Sequence, residues 1–177
     1  MSRRGLTTLA AVGLLLALAG CGQGREYAVP ADACGVPVGA AALDPLLPPG
    51  DALRAEPVDL GQGSARCTLS VDGEAALSLK TDVSTEVAEL PKVVQEKLAR
   101  SGHPEQAAVP GGAEGWVADS LALATVRCTY RGAPHVFIAE ASVPGDGGAS
   151  EVARRRTALA ALITAYLPAA QKAAGCA

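Results

Sequence analysis

Hydrophobic and polar positions along the chain fall into three kinds of pattern. Residues 5–20 carry no charge and form one apolar run behind Arg3 and Arg4. From Arg66 to Val83, and again from Leu121 to Val143, apolar and polar residues alternate with the period of two of a strand that buries one face. Ser84 to Arg100 and Ser150 to Tyr166 instead repeat apolar residues at three- and four-residue intervals, the stripe of a half-buried helix.

Within the first alternating stretch, Leu69 and Val71 lead into Asp72-Gly73, and Ala75, Leu77 and Leu79 follow. Asp-Gly tolerates positive φ at both positions, so a tight hairpin is predicted there. Trp116-Val117 precede a turn at Asp119-Ser120, a strand over 121–130, a turn at Arg131-Gly132-Ala133-Pro134 and a strand over 135–143. Ser84 to Arg100 places Val87, Leu90, Val93, Val94 and Leu98 on one side of a helix, with Pro91 either kinking it or opening it. Pro37 to Leu47 reads as a short helix, shortened or broken at Pro45 and ended by Pro48-Pro49-Gly50. Ser150 is expected to cap the last helix, whose apolar set is Val152, Leu159, Leu162, Ile163 and Tyr166 and which Pro168 interrupts. Together these elements predict an α+β domain, an antiparallel sheet of about four to six strands packed by two or three helices.

The first apolar run ends Leu18-Ala19-Gly20-Cys21. A charged start and an apolar core of about 15 residues have the proportions of an export signal, and fall short of the roughly 20 residues a membrane span needs. The ending resembles the lipobox of bacterial lipoproteins: an aliphatic residue, two small residues and an obligatory cysteine. That resemblance implies cleavage before Cys21, lipid on its thiol and a position on the extracytoplasmic face of the cell membrane. Ser2-Arg3-Arg4-Gly5-Leu6 also resembles part of a twin-arginine export signal. The expected organisation is a signal peptide over 1–20, the lipidated Cys21 and a tether over 21–33, and one domain over 34–177.

Loss of residues 1–20 removes Arg3 and Arg4 and leaves 13 basic against 18 acidic side chains, a net charge of about −5. Such a surface gives no electrostatic reason to expect nucleic acid. With one Phe, one Trp and three Tyr, the core must be built from Ala, Val, Leu and Ile. At roughly 25 cal/mol per Å² of apolar area, small side chains stabilise less per residue. Four further cysteines, Cys34, Cys67, Cys128 and Cys176, read as two disulfides in an exported domain, with three connectivities open. Without a Cys-x-x-Cys, neither a redox dithiol nor a zinc knuckle is suggested. Arg66-Cys67-Thr68-Leu69 and Arg127-Cys128-Thr129-Tyr130 stand 61 residues apart, which suggests a symmetrical use of the cysteines. Cys34–Cys67 would then pin the first helix to the first hairpin, and Cys128–Cys176 the last helix to the second. Each bond would stabilise by about 3–4 kcal/mol.

Cys21, a short linker, Cys34 before a short helix and Cys67 at a strand some thirty residues on form a series. It resembles that of small actinobacterial cell-surface lipoproteins carrying an envelope domain of unknown function. A Trp-containing strand before a Cys-containing strand, as at Trp116 and Cys128, is similar to members of the same group. The resemblance covers roughly the first half of the chain. It implies an α+β fold and an envelope location, and it transfers no catalytic residues.

Catalytic patterns are missing from the sequence. In Gly61-Gln62-Gly63-Ser64-Ala65 the serine follows the second glycine, so it is no nucleophile elbow, and there is no Ser-x-x-Lys. His103 and His135 read as exposed residues at element ends; His135 is the better candidate, because its neighbours alternate into a sheet face. Asp146 stands alone among glycines and cannot supply the several oxygens calcium takes, so neither a metal nor a cofactor is expected. Arg154-Arg155-Arg156 would fan across about 200° of a helix, as a solvated surface or as a contact to anionic headgroups. Trp116 is a core residue or a binding-surface aromatic. The expectation is a non-catalytic binding or accessory module at the cell envelope, tied to the membrane through Cys21 and meeting an envelope protein. The alternative is a carrier that holds a lipid or other apolar ligand between helix and sheet.

Overall fold

Four residue pairs ending in glycine fold the chain back on itself. Cys34-Gly35, Gln62-Gly63, Asp72-Gly73 and Arg131-Gly132 each place both residues at positive φ, between 50° and 89°. This backbone matches the right-handed twist of the strands it joins, and glycine in second place removes half the steric cost. The computed structural model describes residues 24–85, 90–145 and 148–177. Cys21, the export signal, the start of the tether, Val87 and Asp146 lie outside them.

The strands these turns join are β1 (Asp32–Ala33), β2 (Val36–Pro37), β3 (Leu53–Gly61), β4 (Ser64–Val71), β5 (Glu74–Ser84), β8 (Leu121–Tyr130) and β9 (Ala133–Ser142), with β6 (Glu105–Ala107) and β7 (Glu114–Val117) between the last two hairpins. β1 and β2 pair alone, and the other seven form one antiparallel sheet in the order β3-β4-β5-β9-β8-β7-β6. The α+β class holds, and the sheet is wider than four to six strands. The additional strands are its two edges. β3 is exposed from Arg54 to Gly61, so it shows no buried alternation, and Pro57 counts against a strand in any pattern reading. β6 is three residues long.

Each face of the sheet carries its own helix. On one face Leu69, Leu77, Leu79, Phe137, Ala139 and Ala141 join a core with α3 (Ala149–Ala173), which contributes Leu159, Leu162, Ile163, Tyr166 and Leu167. Alanines at 122, 124, 139 and 141 let the helix lie close, so small side chains fill this layer. On the other face Val94 and Leu98 of α2 (Leu90–Arg100) pack on Ala118, Leu121 and Leu123, with Trp116 and Ile138 at the margin. Pro91 stands in the first turn of α2, where its missing N–H costs nothing.

Two details of α3 differ from expectation. Gly148, not Ser150, is the N-cap; its carbonyl accepts the N–H groups of Glu151 and Val152, and no side chain caps the end. The helix also runs through Pro168, which faces solvent while Tyr166, Leu167 and Ala170 are buried around it. That burial outweighs the lost hydrogen bond of an internal proline. The first helix is short, as Pro45 predicts: α1 (Ala40–Leu43) passes into a 3₁₀ turn over Asp44–Leu46.

Both disulfides are those the repeat suggested. Cys34–Cys67 joins the β1–β2 turn to β4, with Cα atoms 5.8 Å apart, and Cys128–Cys176 joins β8 to the chain just beyond α3, at 5.5 Å. Beyond the second, Thr129 and Ala177 exchange two backbone hydrogen bonds of 2.6 and 3.0 Å. The stretch read as a tether is folded against the domain from Arg25 onward. Arg25 bridges to Gly50, and its guanidinium donates to the Asp44 carboxylate and to the carbonyls of Asp44 and Leu47. The Tyr27 hydroxyl donates to the Pro48 carbonyl.

Candidate functional site

Strand β6 projects beyond the shelter of α3, and a groove of about 1040 Å³ runs between them. Register fixes its sheet wall. Glu105 pairs with Val117 and Ala107 with Gly115, and Val117 pairs with Ala122 on the α3 side of the sheet. Glu105 and Ala107 therefore share the face that looks toward the helix. Ala153, Thr157, Ala160, Ala161 and Thr164 of α3 form the opposite wall. β6 ends the sheet, so its outer edge has no strand partner among the described residues. Gly115 supports this margin: a Cβ there would stand 2.3 Å from the Val109 side chain and 2.8 Å from the Ala107 carbonyl oxygen.

One end of the groove is closed by charge. Arg156 donates to the His103 carbonyl at 2.7 Å and to Asp119 Oδ1 at 2.9 Å, and pairs with Glu105 Oε1 at 2.7 Å. The Nδ1–H of His103 donates to Asp119 Oδ2 at 3.0 Å, and Arg155 Nε donates to the Asp119 carbonyl at 2.6 Å. Gly102, at φ 111°, brings the chain against Asp119 where any Cβ would collide. The His103 hydrogen bond is the largest influence on Asp119 and holds its carboxyl below the usual range; partial desolvation opposes this, and Arg156 adds to it. For Arg156, desolvation is the largest influence and works to lower its pKa, but Glu105 and Asp119 together raise it above its ordinary value. These contacts tie three separate segments, 101–105, 118–120 and the start of α3, into one corner.

A histidine paired with an aspartate is half of a nucleophile-activating relay. The other half is not built here. Ser101 Oγ donates to the Lys97 carbonyl at 3.1 Å, and Ser120 Oγ to the Ser101 carbonyl at 3.4 Å. The His103 ring is 92% exposed, in water rather than in a closed cleft. The corner is a polar latch that holds β6 against α3.

His135, the better histidine by sequence, stands at the far end of the sheet. It pairs with Cys128, its Nδ1 lies 2.9 Å from the Ala133 carbonyl, and its ring meets Tyr130 edge-on at 5.5 Å. The two histidines are not brought together. The arginine run divides: Arg155 and Arg156 are drawn into the corner, and Arg154 stays exposed beside a cleft of about 470 Å³ with Pro45, Pro48, Pro49 and Glu151. Trp116 is half-buried at the margin of the α2 core. A further cleft of about 470 Å³ lies by Tyr130, Arg131 and Tyr166 at the C-terminal end of α3. Among the described residues no three His, Cys, Asp or Glu side chains gather to hold a metal, and no helix is long and apolar enough to cross a membrane.

Asp119, Glu105 and the groove alanines carry no sequence signal of a site. Asp119-Ser120 signals a turn and Ser101-Gly102-His103-Pro104 a loop, but nothing local says that they meet. No protein-family model, no curated protein and no solved structure matches the chain.

Proposed function

We propose that this chain is a membrane-tethered, extracytoplasmic and non-catalytic binding module, which takes an extended segment of an envelope protein into the groove between β6 and α3. The observation that carries this reading is a strand edge, without a strand partner among the described residues, beside a helix wall of alanines and threonines. A strand laid along β6 would satisfy its outer N–H and C=O groups and place alternate side chains over Thr157, Ala161 and Thr164. This is the geometry of recognition by strand addition. The lipobox at Cys21 supports the tether, and two disulfides support an oxidising exterior.

The carrier alternative needs a closed pocket between α3 and the centre of the sheet, apart from the open groove at β6. Leu159, Leu162 and Ile163 are fully buried there with Ala122, Ala124, Ala139 and Ala141, so the packing favours the module. Native mass spectrometry of the full chain extracted from membranes tests the choice. The module reading predicts a mass equal to the chain from Cys21 plus its lipid. A stoichiometric additional apolar mass that survives delipidation would overturn it in favour of the carrier.

A further inference from the structure

We infer that one end of the sheet faces the lipid surface and the other is held away from it, because Arg25 and Tyr27 latch the N-terminal arm to the domain. The inference rests on the proposed lipid at Cys21 and adds an orientation to it. Only Gly22, Gln23 and Gly24 separate Cys21 from Arg25. Even fully extended, that stretch reaches at most about 14 Å.

Arg25 is fixed at a definite place. Its guanidinium bonds Asp44 and the Leu47 carbonyl and lies over the Tyr27 ring, the Glu26 N–H donates to the Gly50 carbonyl at 2.9 Å, and Tyr27 holds Pro48. Gly50 borders the Asp72-Gly73 hairpin, where Asp72 Oδ1 accepts the Ala52 N–H at 2.8 Å. The Asp72-Gly73 turn, Pro48 and the start of α3 therefore lie at the anchored end of the domain. β8 runs from this end to the Arg131-Gly132 turn, β9 returns from that turn with β5 alongside it, and β3 runs to Gln62-Gly63. A ten-residue strand spans about 33 Å, more than twice the reach of the tether. The Arg131-Gly132 and Gln62-Gly63 turns, with the cleft by Tyr130 and Tyr166, thus point away from the bilayer. The β6–α3 groove opens sideways from this axis.

Exposed charge at the anchored end is of both signs, Glu26, Asp51, Asp72 and Glu74 with Arg54 and Arg154, so an anionic leaflet exerts opposed forces on it within a Debye length of about 8–10 Å. The short tether and the Arg25 latch set the orientation between them.

The test uses the full lipidated chain in vesicles of phosphatidylethanolamine and phosphatidylglycerol that carry a nitroxide-headgroup lipid. A clickable fluorescent side chain replaces either Glu74, at the anchored end, or Ala133, at the far end. Quenching several-fold stronger at position 74 than at 133 is the expected result. Equal quenching, or stronger quenching at 133, with lipid confirmed on the Cys21 peptide by mass, overturns the orientation alone. An unmodified Cys21 peptide overturns both the orientation and the anchor. The latch is tested by Arg25→Ala with Tyr27→Ala, and separately by twenty Gly/Ser residues inserted after Gly24, which leave every contact of the domain intact. Both are expected to shrink the difference between the two positions; a difference unchanged by the insertion refutes control by the tether.

Discussion

Tyr166 shows what burial does to a single polar side chain in this small-residue core. It is 3% exposed, and desolvation pushes its phenol up to about 12. A phenol in water ionises near 10. Its folded value is raised, so the stabilising contribution is fully present below pH 10 and is lost as pH rises from 10 toward 12. A spectrophotometric titration should therefore show a tyrosine component near pH 12, and Tyr166→Phe should delete it. A component near pH 12 that survives Tyr166→Phe would show that the phenol reaches water. The corner at Asp119 is held at the same scale, by hydrogen bonds to His103 and Arg156 from elements far apart in sequence. No local pattern could announce it, because Arg155 and Arg156 look like any solvated arginines until α3 is placed against the 118–120 turn.

At the scale of elements, the disulfides tie the β1–β2 turn to β4 and the segment after α3 to β8. Cys128–Cys176 closes a separation of 48 residues and Cys34–Cys67 one of 33. In the chain-entropy model each contributes about 4 kcal/mol. Cys128→Ser with Cys176→Ser should lower the unfolding free energy in urea by that order and expose the Thr129–Ala177 backbone pair to hydrogen exchange. An unchanged midpoint would mean that α3 is held by its apolar face alone. These bonds were legible from the Arg-Cys-Thr repeat and the placing of Cys34 and Cys176 near helices. So were the Asp72-Gly73 hairpin, the break at Pro45 and the part of the α2 stripe at Val94 and Leu98; Val93, expected with them, is exposed instead. Edge strands were not, for a physical reason: alternation marks a strand only where one face is buried, and β3 buries almost nothing. Its Pro57 and the charges of Arg54, Glu56 and Asp59 are those of an edge kept from pairing with other chains.

The whole molecule combines an N-terminal arm, latched through Arg25 at one end of its sheet, with a groove at one side. Fold class was written in the hydrophobic pattern. The groove was not, since Ala107, Ala153, Ala160 and Ala161 become a surface only when β6 reaches past α3. Uptake of a protein segment there is the central claim, and photo-crosslinking in intact cells tests it most directly. A crosslinking side chain in place of Ala161 should join one dominant envelope protein, Thr157→Trp should abolish that adduct by filling the groove, and the same side chain in place of Glu56, exposed on the far edge strand β3, should capture only scattered neighbours. Identical adducts from both positions, or an adduct from Ala161 that survives Thr157→Trp, would contradict it.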